Sequence, residues 1–327
     1  MRILVTGGLG FIGSNFILKN LKEHPDWEIT NIDAMLYGSN FESLKNIENN
    51  KNYKFVKGNI SEKNLMKNLI SEHDVIINFA AESFVDRSIS YAKPFLDSNV
   101  NGVFNILELI KTTDTKFIHV STDEVYGSLS EGSAKEETRF NPSSPYSATK
   151  ASAELLINAY HQTYDCNCIV TRCTNNYGPR QFPEKFIPKT IILAHLNKNI
   201  PVYGTGKNIR DWLFVEDHCE GITNVLEKGI TGKSYNMSSN NEIDNLTIVN
   251  KILEIMNKPK DLIKFVEDRP GHDFRYSMNS SFIRELGWVP RIKFDEGLER
   301  TIQWYLENKE WWEKISDVIL DSTPWKK

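Results

Sequence analysis

Tyr146 and Lys150 stand four residues apart in Tyr146-Ser147-Ala148-Thr149-Lys150, and on a helix that spacing puts both side chains on one face. A free phenol ionises near pH ~10 and is a poor base at neutral pH. An ammonium beside it stabilises the phenolate and lowers that value. Such a pair could take the proton of an alcohol while a hydride leaves the same carbon. By itself Y-x3-K recurs as a chance surface pair, so the reading depends on what else the chain carries. Upstream, Ser121-Thr122-Asp123-Glu124-Val125-Tyr126-Gly127 follows an apolar run. Adjacent carboxyls are ordinarily a solvated loop. At the carboxyl end of a strand in an open α/β sheet, where ligands bind, their ionisation can be driven apart to give one acid and one base.

A departing hydride needs an acceptor, and the N-terminus offers a place for one. Thr6-Gly7-Gly8-Leu9-Gly10-Phe11-Ile12-Gly13 follows a short apolar run and leads into an amphipathic one. Gly8-x-Gly10-x-x-Gly13 fits the dinucleotide fingerprint, and Asp33 lies 20 residues beyond Gly13 at the end of the next apolar run. Glycines at Gly7, Gly10 and Gly13 permit a tight turn and let the backbone approach a pyrophosphate. The helix start adds free N–H groups and a positive partial charge. Asp33 can accept hydrogen bonds from ribose hydroxyls, and its charge would repel a 2′-phosphate, which selects NAD over NADP. A lone glycine fingerprint is only a flexible turn; here strand, turn, helix, strand and acid come in order.

These residues need a frame. Arg2–Val5, Glu28–Asp33, Tyr53–Val56, Val75–Phe79 and Lys116–Ser121 read as strands, and Phe11–Glu23, Ser61–Ser71 and Phe95–Lys111 as the helices between them. The alternation predicts an α/β fold with a Rossmann-type doubly wound parallel sheet. Tyr146–Tyr164 reads as the next long helix and Ile169–Thr174 as a further strand. Beyond about Asn175, repeated Pro and Gly point to a smaller, mixed C-terminal lobe that grips a ligand with loops. The chain has 327 residues, more than the roughly 250–300 at which a single core stops growing. Residues 1–174 are therefore assigned to a dinucleotide-binding domain, with the chain returning to it around 210–236, and 175–327 mainly to a substrate lobe.

Hydrophobic residues make up 40% and charged residues 25% of the chain, the usage of a folded globular protein. A formal net charge of −4 gives no general attraction to nucleic acid or lipid, and no apolar run approaches the ~18 residues that span a bilayer. Cys166, Cys168 and Cys173 crowd together, with Cys219 apart. This spacing lacks the paired halves of a zinc site, so no metal is expected and the thiols read as buried and free in a reducing cytoplasm. Trp304, Trp311, Trp312 and Trp325 read as packing or interface residues rather than chemistry.

Several segments together resemble the extended short-chain dehydrogenases and, more narrowly, the dTDP-glucose 4,6-dehydratases. They are Thr6–Gly13, Ala80-Ala81-Glu82-Ser83-Phe84-Val85-Asp86-Arg87-Ser88, Ser121–Gly127 and Pro142–Lys150. Asn175-Asn176-Tyr177-Gly178-Pro179, Phe182–Pro188, Pro201-Val202-Tyr203-Gly204, Arg210-Asp211-Trp212-Leu213 and Asp268-Arg269-Pro270-Gly271-His272-Asp273 belong to the same likeness, which runs over essentially the whole chain. Thr122-Asp123-Glu124 is its most specific part, since epimerases and decarboxylases of the superfamily keep the Tyr–Lys pair without this Asp-Glu pair.

The resemblance implies a three-step dehydration. Tyr146, supported by Lys150 and Thr122, deprotonates a sugar C4 hydroxyl as hydride moves to NAD; Glu124 removes the C5 proton while Asp123 protonates the leaving C6 hydroxyl; hydride returns to C6. It also implies cofactor contacts from Gly7, Gly10, Phe11, Ile12, Gly13, Asp33, Ala34, Met35, Leu36, Asn59, Ile60, Ala80, Ser98 and Asn175, with Tyr146 and Lys150. For the nucleotide sugar it implies Ser83, Thr122, Asn176, Lys185, Phe186, Pro201, Tyr203, Arg210, Asn245, Arg269 and His272. The two arginines suit a diphosphate, because a guanidinium fork matches its oxygens. The family also implies a homodimer through the helices Phe95–Lys111 and Tyr146–Tyr164, with apolar stripes at Phe104, Leu107 and Ile110 and at Leu155, Leu156 and Ala159. Phe84 stands where the family has His, Asn59 where it has Asp, and Arg180 where it has Tyr. The competing readings are the same chemistry on UDP-glucose, a UDP-sugar 4-epimerase or decarboxylase, and a non-catalytic NAD-binding protein.

Overall fold

The computed structural model describes residues 1–314 and 320; Trp325 lies outside the described residues. Its first half alternates β1 (Arg2–Thr6), α1 (Phe11–Glu23), β2 (Glu28–Asp33), β3 (Tyr53–Lys57), α2 (Lys63–Ser71) and β4 (Val75–Asn78). Next come α3 (Val85–Ser90), α4 (Lys93–Phe95), a π-helical stretch Leu96–Gly102, α5 (Val103–Ile110), β5 (Lys116–Thr122), α6 (Pro145–Tyr164) and β6 (Cys168–Cys173). The second half holds β7 (Asn175–Tyr177), α7 (Phe186–His195), β8 (Ile200–Tyr203), β9 (Ile209–Phe214), α8 (Val215–Lys228), β10 (Ser234–Met237), β11 (Glu242–Asp244), α9 (Asn245–Ile255) and β12 (Ile263–Val266).

Seven strands form one parallel sheet in the order β3-β2-β1-β4-β5-β6-β10. Alternate residues of each strand feed opposite faces. Ile3, Val5, Ile77, Ile118 and Ile169 pack with Phe16 and Ile17 of α1 and Val215, Cys219 and Ile222 of α8. Leu4, Ile76, Phe117 and Val170 pack with Met66 of α2, Ile106 and Leu107 of α5 and Ile157 of α6. Both faces are thereby sealed, and the strand order reverses between β1 and β4, which opens a crevice at their carboxyl ends. The chain returns to this sheet through α8, which packs on α1, and β10, which pairs with β6. The smaller lobe carries a three-stranded mixed sheet β11-β9-β7 and the parallel pair β12-β8. Trp311 and Trp312 are buried there with Tyr177, Trp212 and Tyr305. Among the described residues no helix is long and apolar enough to cross a membrane.

The helix expected at Phe95–Lys111 is helical but not α throughout. Its Leu96–Gly102 stretch is wound as a π-helix, a widened turn common at functional sites. The widening points Asn99 inward, where its amide grips the Glu82 backbone on both sides (2.9 Å and 3.0 Å) and reaches Thr149 of α6 (3.0 Å). Gly102 lets the helix close on Ile60, since a Cβ there would lie 2.5 Å from the Ile60 side chain. Leu107 and Ile110 of the expected apolar stripe face the sheet and are fully buried, while Phe104 and Leu155 remain exposed.

α6 begins with a capping box in which Ser144 and Ser147 satisfy each other's backbone N–H, and Pro145 opens its first turn. Its middle is pinned by a buried ion pair. Arg172 of β6 meets Glu154 at 2.8 Å, donates to the Tyr126 hydroxyl (2.6 Å), the Glu136 carbonyl (2.9 Å) and Ser234 (3.2 Å), and lies beside the rings of Tyr126 and Phe140. One guanidinium thus ties α6, β6, β10 and the turn after β5. Breaking such a pair leaves a buried charge uncompensated, so Arg172→Met is expected to destabilise the fold by about 3–5 kcal/mol. Arg172→Met with Glu154→Gln should recover part of that loss; thermal unfolding of the two variants checks both values.

Candidate active site

The turn after β1 requires glycine for steric reasons. Gly7 has φ +70°, and a Cβ there would sit 2.6 Å from the Ala80 backbone nitrogen; one on Gly13 would sit 2.6 Å from the Gly7 carbonyl oxygen. α1 then starts at Gly10 with no side-chain cap, which leaves its first N–H groups for an incoming anion. Asp33, at the end of β2, is buried. Its carboxylate accepts the N–H groups of Leu9 (2.9 Å) and Met35 (2.7 Å). Burial raises its ionisation and these two bonds lower it, which leaves an oriented acceptor at the rim of the crevice.

Gly7, Gly10, Phe11, Ile12, Gly13, Asp33, Ala34, Leu36, Asn59, Ile60, Ala80, Ser98, Tyr146, Lys150 and Asn175 line one continuous groove, along with Ser83, Thr122, Asp123 and Glu124. Met35 does not line it. Its backbone is left-handed (φ 56°) and its side chain is exposed, because its N–H is turned to the Asp33 carboxylate. Phe186, Pro201, Tyr203, Arg210, Asn245, Arg269 and His272 line a second pocket in the smaller lobe. Glu124, Asn175, Asn176 and Lys185 belong to both, so the two cavities meet at the turn after β5. Arg210 is buried and Arg269 partly so, and both are already engaged. Arg269 pairs with Asp86 (2.6 Å); Arg210 donates to the carbonyls of Ile209 (2.7 Å) and Asp273 (2.9 Å) and lies over the Tyr276 ring.

Thr122 ends β5 and its hydroxyl accepts the Glu124 N–H (3.3 Å) at the start of the short turn Asp123–Tyr126. Asp123 is buried. One carboxyl oxygen meets Thr122 (3.2 Å), and the other has no partner. Burial and the neighbouring Glu124 push its ionisation up to about 8. Burial also raises Glu124, against the pull of Arg269 and Lys185. Tyr146 is held well above its ordinary value by burial and then by Glu124, with the Thr122 hydroxyl acting in the opposite direction. Burial brings Lys150 down to about 8.

One detail goes beyond the sequence reading. The Lys150 amine, expected beside the phenol, donates to the Val120 carbonyl (2.8 Å) and meets His119 Nε2 (3.1 Å). The four-carbon stem reaches from the first turns of α6 to β5. In this state burial, not the amine, dominates the phenol.

Sequence reasoning also missed a group that joins the two lobes. Tyr37 donates to Glu184, Arg87 bonds the same carboxylate (3.3 Å) and lies 3.5 Å from the Tyr37 ring centroid. Phe84 packs edge-on against Tyr37 and Phe182, and Lys185 lies over its ring while donating to the Ser83 carbonyl (2.6 Å). Phe84 was visible only as a departure from a family pattern; that it bridges the lobes depends on contacts about a hundred residues apart, which spacing does not reveal.

Comparison with known proteins agrees with this geometry. The family model described as GDP-mannose 4,6 dehydratase matches residues 4–301. The dTDP-glucose 4,6-dehydratase of Escherichia coli is 44% identical, with 97% of each chain covered. The crystal structure of dTDP-glucose 4,6-dehydratase from Bacillus anthracis in complex with NAD is 46% identical with a TM-score of 0.91, covering 97% of this chain and all (100%) of its own. DesIV, the dTDP-glucose 4,6-dehydratase of Streptomyces venezuelae, solved with NAD, is 41% identical with a TM-score of 0.94 over the same shares, 97% and 100%. The chain belongs to this family of NAD-dependent nucleotide-sugar dehydratases.

Asp33→Asn tests the groove. The amide would bring an NH2 toward the N–H of Leu9 or Met35, and it removes the charge that repels a 2′-phosphate. Calorimetry should show NAD affinity reduced at least ~10-fold, the scale of a lost charged hydrogen bond, and a narrower preference for NAD over NADP. Unchanged affinities for both would place the adenosine ribose elsewhere.

Proposed function

We propose that this member of the family is a dTDP-glucose 4,6-dehydratase that converts its substrate to the 4-keto-6-deoxy sugar. The observation that carries this reading is the Asp123–Glu124 pair, placed where the glycine-lined groove meets the arginine-lined pocket. The groove residues fit NAD: Gly7 and Gly13 leave room where a Cβ would collide with backbone, and Asp33 offers an oriented acceptor. NAD, when bound, supplies the hydride acceptor, the later hydride donor, and a positive ring charge that favours phenolate.

Tyr146, its phenolate favoured by the Thr122 hydroxyl and by the ammonium of Lys150 one turn further along α6, takes the proton of the C4 hydroxyl as that carbon is oxidised. The resulting ketone acidifies the C5 proton, which Glu124 removes. Asp123 gives its proton to the departing C6 hydroxyl, so that water leaves and a C5–C6 double bond remains. Hydride addition at C6 and return of a proton from Glu124 to C5 complete the product. The sum is loss of one water with no net redox change. Asp123 is suited to its part because burial and Glu124 keep it protonated at neutral pH, and Glu124 has the cations Arg269 and Lys185 to favour its charged form. Arg210 and Arg269 would face the diphosphate, with Ser83, Asn176, Lys185, Phe186, Pro201, Tyr203, Asn245 and His272 around the nucleotide and hexose.

The assay is incubation with dTDP-glucose and UDP-glucose in parallel, read by mass spectrometry for loss of water and by absorbance for NADH. Water loss without accumulating NADH is expected, faster on dTDP-glucose; the two bases differ by one methyl, worth about 1–3 kcal/mol. NADH rising in step with product would make the chain a simple dehydrogenase, epimerised product an epimerase, and no reaction a binding protein.

The variants separate the steps. Tyr146→Phe should block formation of bound NADH. Glu124→Gln should leave oxidation intact and slow C5 exchange in deuterated water. Asp123→Asn should permit C5 exchange but stall water loss. Each effect should reach ~10²–10⁴ in rate. The acid form of Asp123 predominates below its value of about 8, so elimination should hold at neutral pH and fall as pH rises through that value. Asp123→Asn should lose that limb, and normal turnover by both carboxyl variants would return the pair to an ordinary loop.

We also infer a cytoplasmic homodimer. Leu96, Phe104, Leu155 and Tyr164 are exposed on Leu96–Gly102, α5 and α6, with Tyr160 linking Phe104 to Tyr164 by ring contacts. An apolar face on neighbouring helices suits a second copy. Light scattering at micromolar concentration should give twice the chain mass, and Leu155→Glu with Phe104→Glu should give monomers.

A further inference from the structure

The mechanism above uses Lys150 but not the group its amine touches. β5 carries a histidine inside an otherwise apolar run, and His119 is fully buried. Its Nε2 meets the Lys150 amine at 3.1 Å and its Nδ1 meets the Asn78 side-chain amide at 2.9 Å. Asn78 in turn meets the Thr6 hydroxyl at 2.5 Å. Sheet register explains the line-up: Thr6 of β1 stands opposite Asn78 of β4, and Asn78 opposite His119 of β5. Three buried polar side chains therefore run across the centre of the sheet, from the residue before Gly7 to the amine of Lys150.

Proton counting restricts this chain. A neutral imidazole has one N–H and one acceptor nitrogen. An ammonium and an amide NH2 therefore cannot both donate to it. Charging the ring as well is disfavoured, because burial and the Lys150 charge both lower its ionisation. When Lys150 is charged, Nε2 must accept, Nδ1 must carry the hydrogen, and Asn78 must turn its carbonyl to Nδ1 and its NH2 to Thr6. The amide can do so without changing volume.

We propose that His119 is a positioning residue for Lys150: as the neutral Nδ1–H tautomer, held by Asn78, it accepts from the ammonium at Nε2 and fixes the amine against β5. With the Val120 carbonyl taking a second N–H, one N–H of the three remains for the groove that Lys150 lines. The other titratable groups that act on this amine are Glu154 of its own helix and Cys173 of β6, both favouring the charged form. Tyr146 lies one turn back on α6, and Asp123 follows the end of β5. The role in turnover rests on the dehydratase reading; the tautomer does not.

Two measurements decide it. Nitrogen-15 NMR of the histidines in the NAD-loaded enzyme at pH 7 should show His119, assigned by its loss in His119→Gln, as neutral with the hydrogen on Nδ1. A hydrogen on Nε2 overturns the proposal even if the chain turns out to bind dTDP-glucose without converting it. The second is single-turnover formation of bound NADH against pH. His119→Phe keeps ring volume but has no acceptor, so the ammonium loses support and Lys150 should deprotonate at lower pH. The alkaline limb should move down by about 1 pH unit or more, as expected for a lost charged hydrogen bond. His119→Gln, which offers a carbonyl, should restore most of it, and His119→Leu, which also has no acceptor, repeats the test should His119→Phe fail to fold. A lower melting temperature with an unmoved limb in the variant that lacks an acceptor would make His119 a core residue and nothing more. Wild-type enzyme that loses no water from dTDP-glucose would instead sink the dehydratase reading, leaving the tautomer result standing.

Discussion

Asp123, Glu124, Tyr146 and Lys150 meet at the carboxyl end of β5 with little water around them, and each is displaced from its solution behaviour first by desolvation. Desolvation disfavours charge of either sign. It therefore raises the two carboxyls and the phenol and lowers the amine, bringing Asp123 and Lys150 together at about 8. An acid that keeps its proton at neutral pH and an amine that can lose one are both unusual in water. Here they arise from one cause, and the rest of the structure determines which partners modify it.

Those partners are delivered by the topology. The strand reversal between β1 and β4 opens the crevice over the middle of the sheet, and β5 ends in it. α6 carries Tyr146 and Lys150 along β5 and is fixed at both ends of its working segment, by the Ser144 cap above Tyr146 and by Glu154–Arg172 one turn beyond Lys150. The same guanidinium bonds Tyr126, the last residue of the turn that holds Asp123 and Glu124. Helix and turn are thus referred to one buried charge. Pairs of this kind rarely add much stability compared with an apolar core; their value is that losing either partner is costly, so the relative placement of the two elements has little freedom.

Much of the first lobe was legible in the sequence because it obeys local rules. Glycines at Gly7 and Gly13 are required by backbone approach, the acid at Asp33 follows a strand, and apolar runs of strand length alternate with amphipathic ones. Boundaries moved by a residue or two. What was not legible depended on distance in the chain. The π-helical turn at Leu96–Gly102 goes with Asn99 reaching Glu82 and Thr149, contacts that helical periodicity does not encode. Met35 looked like its neighbours Ala34 and Leu36 yet turns away, because the Asp33 carboxylate claims its N–H. Spacing put Lys150 on the same face as Tyr146, but not where the amine would go. The histidine in Lys116–Thr122 was the one available signal: a polar residue at an inward strand position, whose burial requires a partner.

The second lobe shows why a motif reading needs the structure to become chemistry. Arg210 and Arg269 were chosen for their charge, yet both are already bonded, one to carbonyls and one to Asp86. An anion entering that pocket exchanges these bonds or shares them, and Asp86 sits in the segment that begins at α3 and adjoins Phe84. Phe84 touches Tyr37 from the first lobe and Phe182 from the approach to the second. Drawing Arg269 toward a diphosphate would weaken its hold on Asp86 and bear on the aromatic group that joins the lobes. Substrate charge thereby bears on the short segment Phe84–Asp86, whose Phe84 lines both cavities together with Glu124.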